Sequence, residues 1–186
     1  MTVVAQKEFY LQVVDWKTII KEHGPAVWQT AYRLLGNDAD AADCFQDTFV
    51  GALELSRRQR VRNFPALLVR LATTRAIDQL RRRFRRERIG SLENSRPEEP
   101  ENNPNPAQYA QQQELATMLK TALVHLQPQE AQVFCLRYLN DMSYRQIANE
   151  LVIKKSATGV ILHRARLKLR QFFEVSSKEH KSEVTL

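Results

Sequence analysis

Residues 142–170, MSYRQIANELVIKKSATGVILHRARLKLR, leave few options for the chain that contains them. Ser143 is a strong N-cap, and Gln146 three residues on completes a capping-box pattern. Ile147, Ala148 and Leu151 then share one apolar face. Lys154-Lys155-Ser156 breaks the pattern. Beyond it Val160, Ile161, Leu162, Leu167 and Leu169 supply the apolar positions of a second helix. His163, Arg164, Arg166, Lys168 and Arg170 make that helix basic. Two helices across a tight turn, the second one basic, is the layout of a helix-turn-helix whose second helix enters the major groove. A plain helical hairpin with a solvated basic face fits the same spacing, so the stretch by itself leaves both readings open.

The rest of the chain is also helical in pattern. Its 186 residues include five glycines, and apolar residues recur at helical spacing over long stretches. Residues 1–9 read as a loose arm. Residues 10–35 read as helix, broken or bent at His23-Gly24-Pro25, with Val27, Ala31, Leu34 and Leu35 inward. Gly36-Asn37-Asp38 is a C-cap and turn, and Asp38 or Asp40 is placed to cap a helix over 39–56. There Ala42, Phe45, Phe49 and Leu53 form the expected buried stripe. A helix over 64–87 turns Leu67, Leu68, Leu71, Ile77 and Leu80 inward. It ends in six arginines within residues 81–88. Four prolines, four glutamates and four asparagines then fill the 89–108 stretch, which has little to bury and reads as a flexible linker. Helices follow over 109–126 and 128–139, Pro128 suiting a first turn. The expectation is an all-α chain. It has a helical domain over 10–88, the acidic linker over 89–108, a helix-turn-helix domain over 109–174 and a polar, frayed tail over 175–186.

Charge narrows the partner. The net charge is +7 and lies in two basic modules, residues 1–90 and 114–186, on either side of an acidic connector. Such a balance points to a polyanion, nucleic acid before membrane. Cys44 and Cys135 sit apart among apolar residues and read as buried reduced thiols of a cytoplasmic protein. The four histidines have no ligand spacing. No glycine-rich phosphate loop, no nucleophile with its base and no metal-ligand pair is present, so neither enzymatic activity, nor a cofactor, nor a metal is expected. No apolar run reaches membrane-spanning length, and the N-terminus lacks the pattern of a signal peptide, so no membrane insertion is expected.

Two further stretches carry chemistry. Asp43, Gln46 and Asp47, at i, i+3 and i+4, form a polar face opposite Phe45 and Phe49, able to dock on a partner by charge-assisted hydrogen bonds. Arg70, Thr74 and Asp78 share a face of the following long helix, continued by the arginine cluster. That face suits phosphates, and the loop Arg57-Arg58-Gln59-Arg60-Val61-Arg62-Asn63 leads into it. Solvated charged faces would look the same in sequence.

Taken in order, these motifs resemble the sigma-70 family of bacterial RNA polymerase sigma factors, most closely the extracytoplasmic-function (ECF) class. HGPAVWQTAYRLLGNDADAADCFQDTFVGAL and NFPALLVRLATTRAIDQLRRRFRR look like the two halves of its sigma-2 domain. ELATMLKTALVHLQPQEAQVFCLRYLNDMSYRQIANEL and LHRARLKLR look like its sigma-4 domain. The resemblance implies a sigma factor that binds core RNA polymerase, directs it to particular promoters and helps open the DNA, with an anti-sigma factor as a possible further partner. It places Asp43, Gln46 and Asp47 against core polymerase. Arg57, Arg58, Arg60, Arg62, Asn63, Thr74, Arg75, Asp78, Arg81 and Arg82 fall at the −10 element. Tyr144, Arg145, Lys154, Lys155, Ser156, Thr158, Gly159, His163, Arg164 and Arg166 fall at the −35 element. The acidic linker corresponds to the segment threaded toward the polymerase cleft.

The sequence departs from that family at telling places. Thr74 stands where an Asn is common on the −10 helix, and Leu67 where a Trp is usual. Val152 stands in the turn where a Gly is usual. Gly159, Val160 and Ile161 replace the customary polar and basic residues of the recognition helix, and Gly costs such a helix ~1 kcal/mol. Two alternatives therefore accompany the sigma-factor reading. One is a polymerase adaptor with degenerate promoter readout. The other is a helix-turn-helix regulator that binds duplex DNA on its own.

Overall fold

The computed structural model describes residues 14–89 and 106–183, and among these every regular element is helical. Seven helices follow in order: α1 Trp16–Leu35, α2 Asp38–Arg58, α3 Phe64–Arg88, α4 Pro106–His125, α5 Pro128–Tyr138, α6 Tyr144–Leu151 and α7 Lys155–Glu183. The arm over 1–9 and nearly all of the acidic linker lie outside the described residues.

Local chemistry sets the helix ends. Asp15 caps α1, accepting from the Thr18 N–H at 3.2 Å, and Gly36 closes it in the left-handed region at φ 83°. Asn37 caps α2, accepting from the Asp40 N–H at 2.8 Å, which corrects the expected Asp38 or Asp40 cap. Gln127 and Glu130 form a capping box on α5, and Ser143 and Gln146 form the expected one on α6.

The structure corrects three boundaries. α1 runs unbroken through His23-Gly24-Pro25. Ile19 and Val27, on either side of the Pro, are seated in one apolar cluster with Phe45, Phe49, Leu67 and Leu68, and Gly24 lies against the Phe45 ring. α4 starts at Pro106 rather than 109, because Pro fits a first turn. α7 continues to Glu183, through most of the segment expected to be a frayed tail.

α1, α2 and α3 pack on one another, and α5, α6 and α7 do likewise with α4 beside them. Small residues line the inner face of α2: Ala41, Cys44, Thr48, Gly51 and Ala52 are buried. They let α2 approach its neighbours closely, while Ala42, Phe45 and Leu53 of the expected stripe are half-buried at its edge. The two lobes also share a core. Leu34, Leu35, Ala76, Ile77 and Leu80 of the first pack with Leu123, Leu126, Ala131, Cys135 and Leu169 of the second. Ala66 joins Val133, Leu136, Ile147 and Leu162 in another shared cluster. Burial of this kind contributes roughly 25 cal/mol per Å² of apolar surface.

Candidate nucleic-acid interface

On α2, Cys44, Thr48 and Phe49 turn inward, and the Thr48 hydroxyl donates to the Cys44 carbonyl at 2.7 Å. Helical geometry then turns Asp43, Gln46 and Asp47 to solvent, and all three are exposed. Exposed Val50 lies one turn beyond Gln46, so the face is acidic with an apolar edge.

The 59–63 loop joins α2 to α3. Arg57 and Arg58 in the last turn of α2 and Arg60 and Arg62 in the loop are exposed. Asn63 is the N-cap of α3, its side-chain oxygen accepting from the Ala66 N–H at 3.1 Å, which leaves its amide N–H groups for other work. Between this loop and α6 lies a groove of about 580 Å³, lined among others by Arg60, Arg62, Arg70, Asn149, Glu150 and Val152.

The α3 residues are divided. Arg82 is exposed. Arg75 lies across Gly51 of α2, where a side chain would collide with its guanidinium. Thr74 donates to the Arg70 carbonyl at 2.8 Å and accepts from the Gln132 side chain at 2.5 Å. Arg81 lies 3.8 Å from Asp78 and donates to the Leu126 carbonyl at 3.0 Å, at the C-terminal end of α4. Arg33 donates likewise to the Leu139 carbonyl at the end of α5, at 3.0 Å. Both arginines thus supply positive charge where a helix dipole favours it. The cross-lobe partners Gln132, Asn140 and Glu150 have no local signature in the sequence.

The helix-turn-helix forms as its caps dictate. Val152 ends α6 in the left-handed region at φ 53°. Lys154 in the turn and Lys155, Ser156, His163, Arg164 and Arg166 along α7 are exposed, and Arg145 is exposed on α6. Thr158 is a correction. It is fully buried and its hydroxyl donates to the Lys154 carbonyl, so it faces the protein interior rather than a base edge. Its phase was readable: Leu162, Ala165 and Leu169, at i+4, i+7 and i+11, are all inward. Gly159 lies over the Tyr144 ring and is half-buried, as is Tyr144. Val160 is exposed where a reading residue would stand. Lys168 braces the helix from behind, donating to Glu130 at 2.8 and 2.9 Å. Burial pushes the Glu130 carboxyl up, but Lys168, the Gln127 N–H and the charge of Arg164 outweigh it and hold it below the ordinary glutamate range.

Among the described residues no group of acidic, His or Cys side chains is placed to hold a metal ion, and no helix is long and apolar enough to cross a membrane.

Known proteins show the same organisation. Sigma-70 region 2 matches residues 19–86 and Sigma-70, region 4 matches residues 116–169, together more than half of the chain. The ECF RNA polymerase sigma factor SigE of Mycolicibacterium smegmatis is 30% identical over 165 residues, 89% of this chain. The chain spans 64% of the length of that relative. The sigma factor RpoE of Bartonella quintana, solved in complex with the anti-sigma factor NepR, shares the fold at a TM-score of 0.53 and 21% identity, covering 87% of this chain and 98% of that one.

Proposed function

The chain belongs to the sigma-70 family, in its extracytoplasmic-function class, and on that premise we propose that it binds core RNA polymerase, brings it to particular promoters and helps open the −10 region. One observation carries this reading. The chain exposes an acidic helix face at Asp43, Gln46 and Asp47 and, on a separate lobe, a basic helix-turn-helix face at Lys154, Lys155, Ser156, His163, Arg164 and Arg166. The first suits a protein partner rich in cations, the second a phosphate backbone. Neither supplies a reacting group, so the chain is a binding factor and not an enzyme, acting in the cytoplasm where its template is.

In this reading residues 10–88 engage polymerase and the −10 element, 89–108 link, and 109–174 engage the −35 element. Arg57, Arg58, Arg60 and Arg62 take the backbone of the unpaired strand. Stacking of an extruded base contributes ~1–3 kcal/mol, which offsets unpairing. With Thr158 turned inward, −35 contacts fall to Ser156, His163 and the surrounding cations. A regulator of the kind seen on the Bartonella neighbour, an anti-sigma factor, is the corresponding protein partner to look for.

The test is transcript mapping with the purified chain, sigma-free core polymerase and fragmented genomic DNA. Discrete 5′ ends sharing two spaced upstream boxes are expected. Association with core but no discrete starts would instead mark a polymerase adaptor, and tight duplex binding without polymerase a stand-alone regulator. Asp47→Lys is expected to weaken core binding while helicity is unchanged. Arg81→Ala with Arg82→Ala is expected to lower the salt dependence of promoter binding by about one ion per lost phosphate contact.

A further inference from the structure

We infer that the pocket walled by the α1–α2 turn, the end of α3 and the middle of α4 is a binding site for a small organic acid, a molecule with one carboxylate on a compact apolar body. The pocket offers about 200 Å³ of space. Its floor is apolar: Leu35 and Leu80 are buried, and the half-buried ring of Phe84 packs on the same cluster. Its polar wall includes Arg83 and Glu87 of α3 and Lys120 of α4.

Lys120 is the group that needs a ligand. It is half-buried, and its Nζ lies so close over Gly36 that a Cβ there would collide with it. Gly36 closes α1, so the negative end of that helix dipole favours a cation at this point. Yet the ammonium has neither a hydrogen bond nor an ion pair among the described residues. Burial, and after it the charge of Arg83, hold the amine below the ordinary lysine value. An ammonium withdrawn from water without an acceptor is costly, and an anion seated at Nζ relieves that cost by a charge-assisted hydrogen bond.

The neighbouring groups set the ligand's own charge and shape. Arg83 Nε donates to Glu87 Oε1 at 3.0 Å, so those two charges offset each other. Asp40, in the first turn of α2, is committed to the side chains of Asn37 and Gln79, each at 2.8 Å. Lys120 is the positive charge left over in the lining, which matches a monoanion better than a dianion. The space is below the ~300–1,000 Å³ of a drug-sized site, and it suits a molecule of roughly ten non-hydrogen atoms. Leu35, Leu80 and Phe84 favour an aromatic ring or branched chain on the acid over a bare phosphate. The pocket shares no residue with the acidic face of α2 or the basic face of the helix-turn-helix, so a ligand there leaves both uncovered.

The test is titration calorimetry of the full chain with sodium benzoate, benzamide and inorganic phosphate. Benzamide keeps the ring and lacks the charge; phosphate keeps charge and lacks the ring. Saturable binding of benzoate is expected, about tenfold tighter than either comparison, the scale of one charge-assisted hydrogen bond. Lys120→Met, which keeps the apolar stem and removes the ammonium, should weaken benzoate about tenfold with helicity unchanged. Should that variant lose helicity, Lys120→Gln gives the same comparison. Absence of saturable benzoate binding overturns the site, and so does benzoate binding that ignores the loss of Lys120. Benzamide binding as tightly as benzoate removes the carboxylate from the proposal, and phosphate binding as tightly removes the apolar body; either result overturns it.

Discussion

Arg70 Nε lies 3.7 Å from Glu150 Oε2, too far for a hydrogen bond, although both side chains are mostly withdrawn from solvent. Burial pushes the Glu150 carboxyl above the ordinary glutamate value of 4.5, and the nearby guanidinium brings it only part of the way back. The folded chain thus binds this proton more tightly than the unfolded one. The stabilisation that follows is full below the ordinary value and is lost as pH rises through the folded value. Glu150→Gln should abolish that dependence and leave stability at pH 7 equal to or up to ~1 kcal/mol above the parent. Urea unfolding from pH 4 to pH 8 checks it; a variant clearly weaker at pH 7 would mean that the ion pair outweighs the burial.

Glu130 answers to pH with the opposite sign. Its folded value is depressed, so its contribution is full above 4.5 and lost as pH falls through the folded value. It both caps α5 at the Gln127 N–H, 3.0 Å away, and holds Lys168. Glu130→Ala should cost about 1–2 kcal/mol at pH 7 and flatten the acid limb of the unfolding curve. An acid limb that keeps its slope would assign it to other carboxylates.

Two residues of the helix-turn-helix are poor choices for stability. Val152 is 90% exposed and sits at φ 53°, where a branched side chain is strained. Val152→Gly should raise stability by up to ~1 kcal/mol, the relieved strain being partly offset by the added freedom of the unfolded chain.

Gly159 lies inside α7, and a Cβ there would meet the Tyr144 ring at 3.7 Å, an ordinary contact. Gly159→Ala should therefore add about 1 kcal/mol, or about 2–4 °C in Tm for a chain of this length. Calorimetry of each variant decides; a loss on Gly159→Ala would show that the α6–α7 packing tolerates no added methyl.

Both thiols should be inert in the folded state. Burial pushes Cys44 up to about 11 and Cys135 up to about 12. At pH 8 neither forms appreciable thiolate, so a chromogenic disulfide reagent should label each only as fast as the chain opens. Fast labelling of Cys135 without denaturant would place it outside the shared core.

Much of this was legible in local sequence. Ser143 with Gln146, Gly36 and Pro128 mark helix ends by backbone chemistry that needs no distant partner, and Leu67, Leu68, Ile77 and Leu80 declare their face by spacing. Where sequence reading went astray, the deciding contact came from elsewhere in the chain. Pro25 leaves α1 whole because Ile19 and Val27 are gripped by α2 and α3. The family resemblance puts Thr158 at the −35 element, yet its helical phase with Leu162 buries it. Gln132 and Asn140 sit in no motif at all. They matter because the fold brings them to Thr74 and Thr30, 58 and 110 residues away.

The uninterrupted α7 has a mechanical consequence. At 29 residues it is a rod of roughly 43 Å. It is gripped along its middle, where Leu162, Ala165 and Leu169 are buried and Phe172 stacks on His125 with ring centroids 5.7 Å apart. A rod held there is a lever with its fulcrum near Ala165. Any tilt imposed on the stretch beyond Glu174 is returned, reversed in direction, at Lys155 and Ser156. A ligand or protein that grasps the far end would thus steer the angle at which the other end enters a groove, without touching a single residue that faces DNA.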